Sequence, residues 1–103
     1  MVNILVTPAA EIDLANIWLY IAEDNLQAAD RVFEAAQTTF DSLLERPKIG
    51  KLFESKRKKL KGIRFFPISQ YPKYIIYYRE TTGGIEVVRV LHSRMLKEDR
   101  LEK

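Results

Sequence analysis

The chain has no cysteine and only one histidine, His92, near its end. Their scarcity removes disulfides, thiolate nucleophiles, cysteine-ligated zinc and any histidine-rich metal centre. Glycine is sparse too, and no glycine-rich phosphate loop or dinucleotide pattern is present. A serine–histidine–aspartate arrangement would have to use Ser93 or Ser69, and neither sits in a nucleophile elbow. No metal and no cofactor are expected. No run comes near the roughly 18 apolar residues that a membrane span needs. The start, "MVNILVTPAAEID", lacks a basic leading segment, and its apolar run is too short for a secretory signal. The expectation is a cytoplasmic protein with no membrane partner.

What is there suffices for one core. The 103 residues, 47% hydrophobic and 30% charged, read as one globular domain over 1–103. The net charge of +3 conceals a split. Residues 1–45 hold eight acids and the single base Arg31, whereas residues 46–103 hold six acids and sixteen bases. An acidic peptide or a nucleic acid would be drawn to the second half only.

"NILV" (Asn3–Val6) reads as a short strand. Thr7 is a suitable N-cap and Pro8 a suitable first helical residue, so a helix is expected from about Pro8 to Glu23. Leu14, Ile17, Trp18 and Ile21 make its main apolar stripe, with Ile12, Ala15, Leu19 and Ala22 as a second stripe beside it. Asp24 or Asn25 caps a second helix, whose stripe runs from Ala29 through Val32, Ala36 and Phe40 to Leu44. Pro47 stops it, because proline disfavours helical backbone at Arg46. So short a break between two helices predicts an antiparallel helix hairpin.

Residues 48–64 carry eight bases against Glu54 and read as a loop with a frayed helical turn. "IRFFPIS" reads as a strand whose end is an edge or a bulge at Pro67. "QYP" is a turn, and "KYIIYYRETTGGIEVVRVLHSR" reads as a hairpin in which Gly83 and Gly84 are free to take positive φ. "MLKEDRLEK" is a charged tail and reads as a loose or short helical end. The predicted class is α+β in the order β-α-α-β-β-β: an N-terminal strand, the helix hairpin, then three antiparallel strands, with the helices on one face of the sheet.

Regular pairing of the hairpin from Glu80 opposite Ile85 places Arg79 opposite Glu86, Tyr77 opposite Val88 and Ile75 opposite Val90 on the face assigned to the helices. Tyr74, Ile76, Tyr78, Val87, Arg89 and Leu91 then share the other face. A mostly apolar face left uncovered is a binding surface; with a different register, Arg89 would merely snorkel at an edge. His92 reads as a strand-end histidine, and Glu11 and Asp13 read as capping and solubility charges. The basic patch Lys56, Arg57, Lys58, Lys59 and Lys61 could meet phosphates, dock an acidic peptide or be simply solvated.

"AAEIDLANIWLYIAE" after the first strand, the strand "YIIYYR" and the ending "IEVVRVLHSRM" together resemble the RelE/ParE superfamily of type II toxin–antitoxin toxins, most closely its ParE branch, over about residues 2–96. The resemblance implies a toxin that inhibits DNA gyrase by binding, neutralised in a heteromeric complex by a cognate acidic, ParD-like antitoxin. The antitoxin would cover Tyr74, Ile76, Tyr78, Val87, Arg89 and Leu91, and Arg94 and His92 would meet the target. RelE relatives instead cleave mRNA on the ribosome without a metal, and an enzyme of that kind would use Arg94 and His92 as catalytic groups. Here Tyr74 stands where the strand arginine of those relatives is expected, and no tyrosine follows Tyr78. A remnant that keeps the fold and only binds is a third possibility.

Overall fold

The computed structural model describes residues 3–95 and 97–102. Strand β1 (Asn3–Val6) leads into helix α1 (Pro8–Ala22) and helix α2 (Leu26–Glu45). The two-residue strand β2 (Lys51–Leu52) and a single 3₁₀ turn (Lys58–Leu60) precede β3 (Arg64–Ile68), β4 (Tyr71–Thr81) and β5 (Gly84–His92). A five-residue helix α3 (Lys97–Leu101) follows; Leu96 and Lys103 of the expected helical end lie outside the described residues. The sheet order is β1-β5-β4-β3-β2, antiparallel throughout except for the parallel β1–β5 pair.

The caps form where the residues call for them. The Thr7 and Asn25 side chains accept hydrogen bonds from the amides of Ala10 and Ala28, at 3.1 and 3.0 Å. Helix α2 ends at Arg46, just before Pro47. Strand β3 is irregular at Pro67/Ile68, since proline cannot donate to the ladder. In the β4–β5 turn only Gly83 has positive φ, +91°. Gly84 is needed for a different reason: a Cβ there would run into the carbonyl of Asn3 in the neighbouring strand.

The hairpin corrects the expected register. Arg79 opposes Glu86 and Tyr78 opposes Val87, but then Tyr77 opposes Arg89, Ile76 opposes Val90 and Tyr74 opposes His92. Val88 is thus one extra residue in β5, a β-bulge, and every pairing beyond it moves by one.

The two faces are also exchanged. Ile76, Tyr78 and Val87, expected on the open face, are buried with Phe40, Leu43 and Leu14 beneath the helix hairpin. Tyr78 is held there at both ends of its hydroxyl, which donates to the Pro47 carbonyl at 2.7 Å and accepts from the Gly50 amide at 3.0 Å. Tyr77 and Ile75 point to the second face, with Leu91 and Val88. That face is not open. Leu60 and Ile63 from the basic loop and Leu101 from α3 close over it, so Leu91 is only 1% exposed. The basic stretch thereby supplies two core residues between its lysines.

Candidate functional site

Strand β1 is shorter than β5, so β5 has an unpaired edge beyond Val87. The start of α1 satisfies it. The Thr7 amide donates to the Val87 carbonyl at 3.0 Å, and the Thr7 hydroxyl donates to the Val88 carbonyl at 2.7 Å. Six residues after Thr7, the Asp13 carboxylate accepts from the Val90 amide at 3.0 Å. Asp13 also accepts from Arg89 through both oxygens, from Nε at 2.7 Å and from Nη2 at 2.8 Å. The pair is bidentate and about 10% exposed on each side. The hydrogen bond to Asp13 holds the Arg89 pKa above its ordinary value, against the opposing effect of burial. Asp13 is therefore a joint between α1 and β5, which corrects its reading as a solubility charge. The signal was present: Asp13 lies three residues after Ala10 and four before Ile17, both of which face the core.

Beside this joint opens a cleft of about 740 Å³ between α1, the start of β4 and the end of β5. Among the described residues, four cations line it (Lys73, Arg89, Arg94 and Arg100) against one carboxylate, Asp13. The Tyr20 ring, 73% exposed, stands at its rim, and the half-buried Tyr74 lines it. Burial pushes the Tyr74 phenol up, with a further contribution from the neighbouring Tyr20. His92 stacks edge-on to Tyr74 at 5.5 Å, and its Nδ1 accepts the Arg94 amide proton at 3.1 Å.

Of the residues expected to act, the cleft brings together Tyr74, Arg89, His92 and Arg94. Ile76, Tyr78, Val87 and Leu91 are in the interior instead. Arg89 is not a charge awaiting a partner, because Asp13 already supplies one. The patch Lys56–Lys61 belongs to the loop that closes the second face and does not line the cleft; within it, Arg57 contacts Glu98, Asp99 and Glu102 at 3.3–3.5 Å. Tyr20, Lys73 and Arg100 join the site from three separate elements, and nothing in their local sequence marks them. Among the described residues no three acidic or histidine side chains come together as metal ligands.

A cleft with this lining is suited to holding an anionic or aromatic group of a partner. A second hollow, about 510 Å³, lies between the helices and is lined by Leu14, Trp18, Leu19, Asp30 and Phe33. The indole of Trp18 donates to Asp30 at 2.9 Å across it.

No curated protein matches the chain. Among solved structures, "Chromosomal ParDE TA system from P. aeruginosa" aligns with a TM-score of 0.71 at 17% identity, covering 89% of this chain and 96% of that one. At that identity the likeness is one of fold. The sequence itself matches the family described as "ParE toxin of type II toxin-antitoxin system, parDE" over residues 4–97, from β1 through the strands to the cleft-lining Arg94. With nearly its whole length matched, the chain belongs to the ParE toxin family of type II toxin–antitoxin systems.

Proposed function

We propose that this ParE-family protein is a cytoplasmic toxin that inhibits DNA gyrase by binding and is neutralised by a cognate acidic antitoxin in a heteromeric complex. The match to the ParE family over residues 4–97 carries the reading. The solved relative is titled as a ParDE system, in which a ParE protein has an antitoxin partner. The charge layout fits an acidic partner, because the basic second half of the chain supplies Lys73, Arg89, Arg94 and Arg100 to one cleft. An antitoxin segment could reach Tyr74 and the rim of Arg89. It could not reach Ile76, Tyr78 or Val87 without lifting the helices off the sheet.

Binding rather than RNA cutting is favoured by the tyrosine in place of the strand arginine at position 74 and by the lack of any tyrosine after Tyr78. Purified protein should block gyrase supercoiling or trap cleaved DNA, and should leave ribosome-bound mRNA intact. Cleavage of mRNA within ribosomes, abolished by Arg94→Ala, would replace this reading with the endonuclease one, in which Arg94 and His92 are the catalytic pair.

A further inference from the structure

Helix α1 is apolar on more sides than the sheet can cover. Leu14 is buried against the core, yet Leu19 on the outer side is 58% exposed. A helix that is apolar all round is normally enclosed. The hollow between the helices leaves such surface open, with Ala15, Trp18 and Leu19 on one side and Phe33, 43% exposed, on the other. Its rim is acidic. Asp30 lines it, Glu34 follows one turn along α2, and Glu11 lies one turn before Ala15 on α1. Asp30 accepts from the neutral Trp18 indole, and among the described residues none of these three carboxylates is in an ion pair. Residues 1–45 offer them one base, Arg31. An acidic segment would be repelled here; a basic one with apolar side chains would fit.

The same chain carries that complement. In "KIGKL", residues 48–52 at the far edge of the sheet, Ile49 and Leu52 are 41% and 55% exposed, and the exposed Lys48 and Lys51 stand beside them. The segment is stiffly held. The Tyr78 hydroxyl bonds the Pro47 carbonyl and the Gly50 amide, and Arg64 Nη1 donates to the Gly50 carbonyl at 2.8 Å. A knob ordered in advance loses little freedom on docking. It cannot fill the hollow of its own molecule. It follows the last residue of α2, whereas Asp30 and Phe33 lie in the first turns of that helix, roughly 20 Å away along the axis.

We propose that the hollow between α1 and α2 receives residues 48–52 of a second copy of this chain. Ile49 and Leu52 enter among Trp18, Leu19 and Phe33, while Lys48 and Lys51 face Asp30 and Glu34. Knob and hollow are different patches, so the contact is heterologous. A pair keeps one free knob and one free hollow, and further copies add head to tail. The opposite charges of the two halves of the chain steer the copies into this orientation. The patch is small, at the low end of protein interfaces (below about 1,200 Å²), so the association is weak and reversible. It shares no residue with the cleft, and its failure would leave the toxin reading untouched.

Sedimentation velocity of the full chain over a range of concentrations measures the association, and the fluorescence of Trp18, the one tryptophan, reports on the hollow. The sedimentation coefficient should rise above roughly 10 μM, together with a blue shift of Trp18 emission. Leu52→Ser on the knob and Phe33→Ser in the hollow change exposed residues, so the fold stays intact. Each should weaken association about tenfold. Raising salt from about 0.1 to 1 M shortens the Debye length from about 10 to about 3 Å and should weaken it severalfold. The decisive measurement uses two double variants, one without a knob (Ile49→Ser with Leu52→Ser) and one without a hollow (Leu19→Ser with Phe33→Ser). Each alone should be monomeric. Mixed in equal amounts they should pair and stop at two, because each supplies the half that the other lacks. A monomer throughout, up to about 500 μM, where even millimolar affinity registers, would overturn the proposal. Association that survives both double variants would place the contact on another face and overturn it too. Variants that stay monomeric when mixed would show a symmetric dimer and refute the head-to-tail arrangement. A Trp18 blue shift produced by polyglutamate in the monomeric protein would assign the hollow to an acidic partner instead.

Discussion

The two faces of the sheet are closed by different means. The first is covered by two long helices whose apolar stripes meet Ile76, Tyr78, Val87 and Val90 over a broad area. The second is covered by a loop, a 3₁₀ turn and a five-residue helix, which contribute Phe53, Leu60, Ile63 and Leu101. Charge does part of the holding there, through Arg57 and the acids of α3. Exposed ion pairs are individually weak, and a short cover can open without unfolding the domain. The first face therefore carries the stability, and the second carries a cover that is easily shifted.

The largest effect that would test this contrast is a cavity on the first face. Phe40→Ala should cost about 3–5 kcal/mol of global stability in urea denaturation. The matching change on the second face, Leu101→Ala, should cost only about 1–2 kcal/mol, since α3 can detach instead of enclosing a void. Equal losses would show that the two covers are equivalent.

Next comes the joint between α1 and the β5 edge. Arg89→Ala leaves the Asp13 carboxylate buried without its ion partner and should cost about 3 kcal/mol. Arg89→Lys should recover part of this, because an ammonium cannot span both oxygens. Thermal denaturation of both variants checks the order.

The second face has a pH signature of its own. Burial pushes the Tyr77 phenol from 10.0 up to about 12, so the fold favours its neutral form. The corresponding stability is fully present below pH 10 and is lost as pH rises from 10 to 12. Over that window the protein should lose about 2–3 kcal/mol more than a Tyr77→Phe variant. A common alkaline profile for the two would place Tyr77 outside the second core.

The smallest effect belongs to Arg57. Arg57→Ala should lower global stability by about 0.2–1 kcal/mol, while amide exchange in α3 rises. Molar salt should do the same to the unmodified protein, by screening. No change in α3 exchange under either condition would mean that Leu101 and the hydrogen bonds from Arg89 and Ser55 hold the helix without the Arg57 pairs.

The helix hairpin and its caps were legible from Thr7, Asn25 and Pro47, because capping and helix termination act within a few residues. The break in β3 was legible from Pro67 for the same reason. The expected open face failed for Ile76, Tyr78 and Val87 because either apolar face of β4 could meet the helices, and the pairings of Arg89 and Leu91 failed because regular alternation leaves no room for the extra residue Val88. The cover of the second face was missed because Leu60 and Ile63 are embedded in "KRKKLKGI", where lysines mask any apolar period. His92 and Arg94 were identified through family likeness; Tyr20, Lys73 and Arg100 had no signal to find.

The order of the main elements, the absence of cysteine chemistry and the charge division between the two halves were all readable along the chain. These follow from composition and from short-range rules of backbone conformation. Only the tertiary structure decided which side of β4 meets the helices, because both of its alternating faces are apolar and packing selects one; the extra residue Val88 then exchanges the faces of the β5 residues beyond it. It also decided that Asp13 pairs with Arg89, 76 residues away in the chain. The cleft likewise exists only in three dimensions: Tyr20, Lys73, Arg94 and Arg100 become neighbours when α1, the sheet and α3 are packed, and no spacing along the chain encodes that meeting.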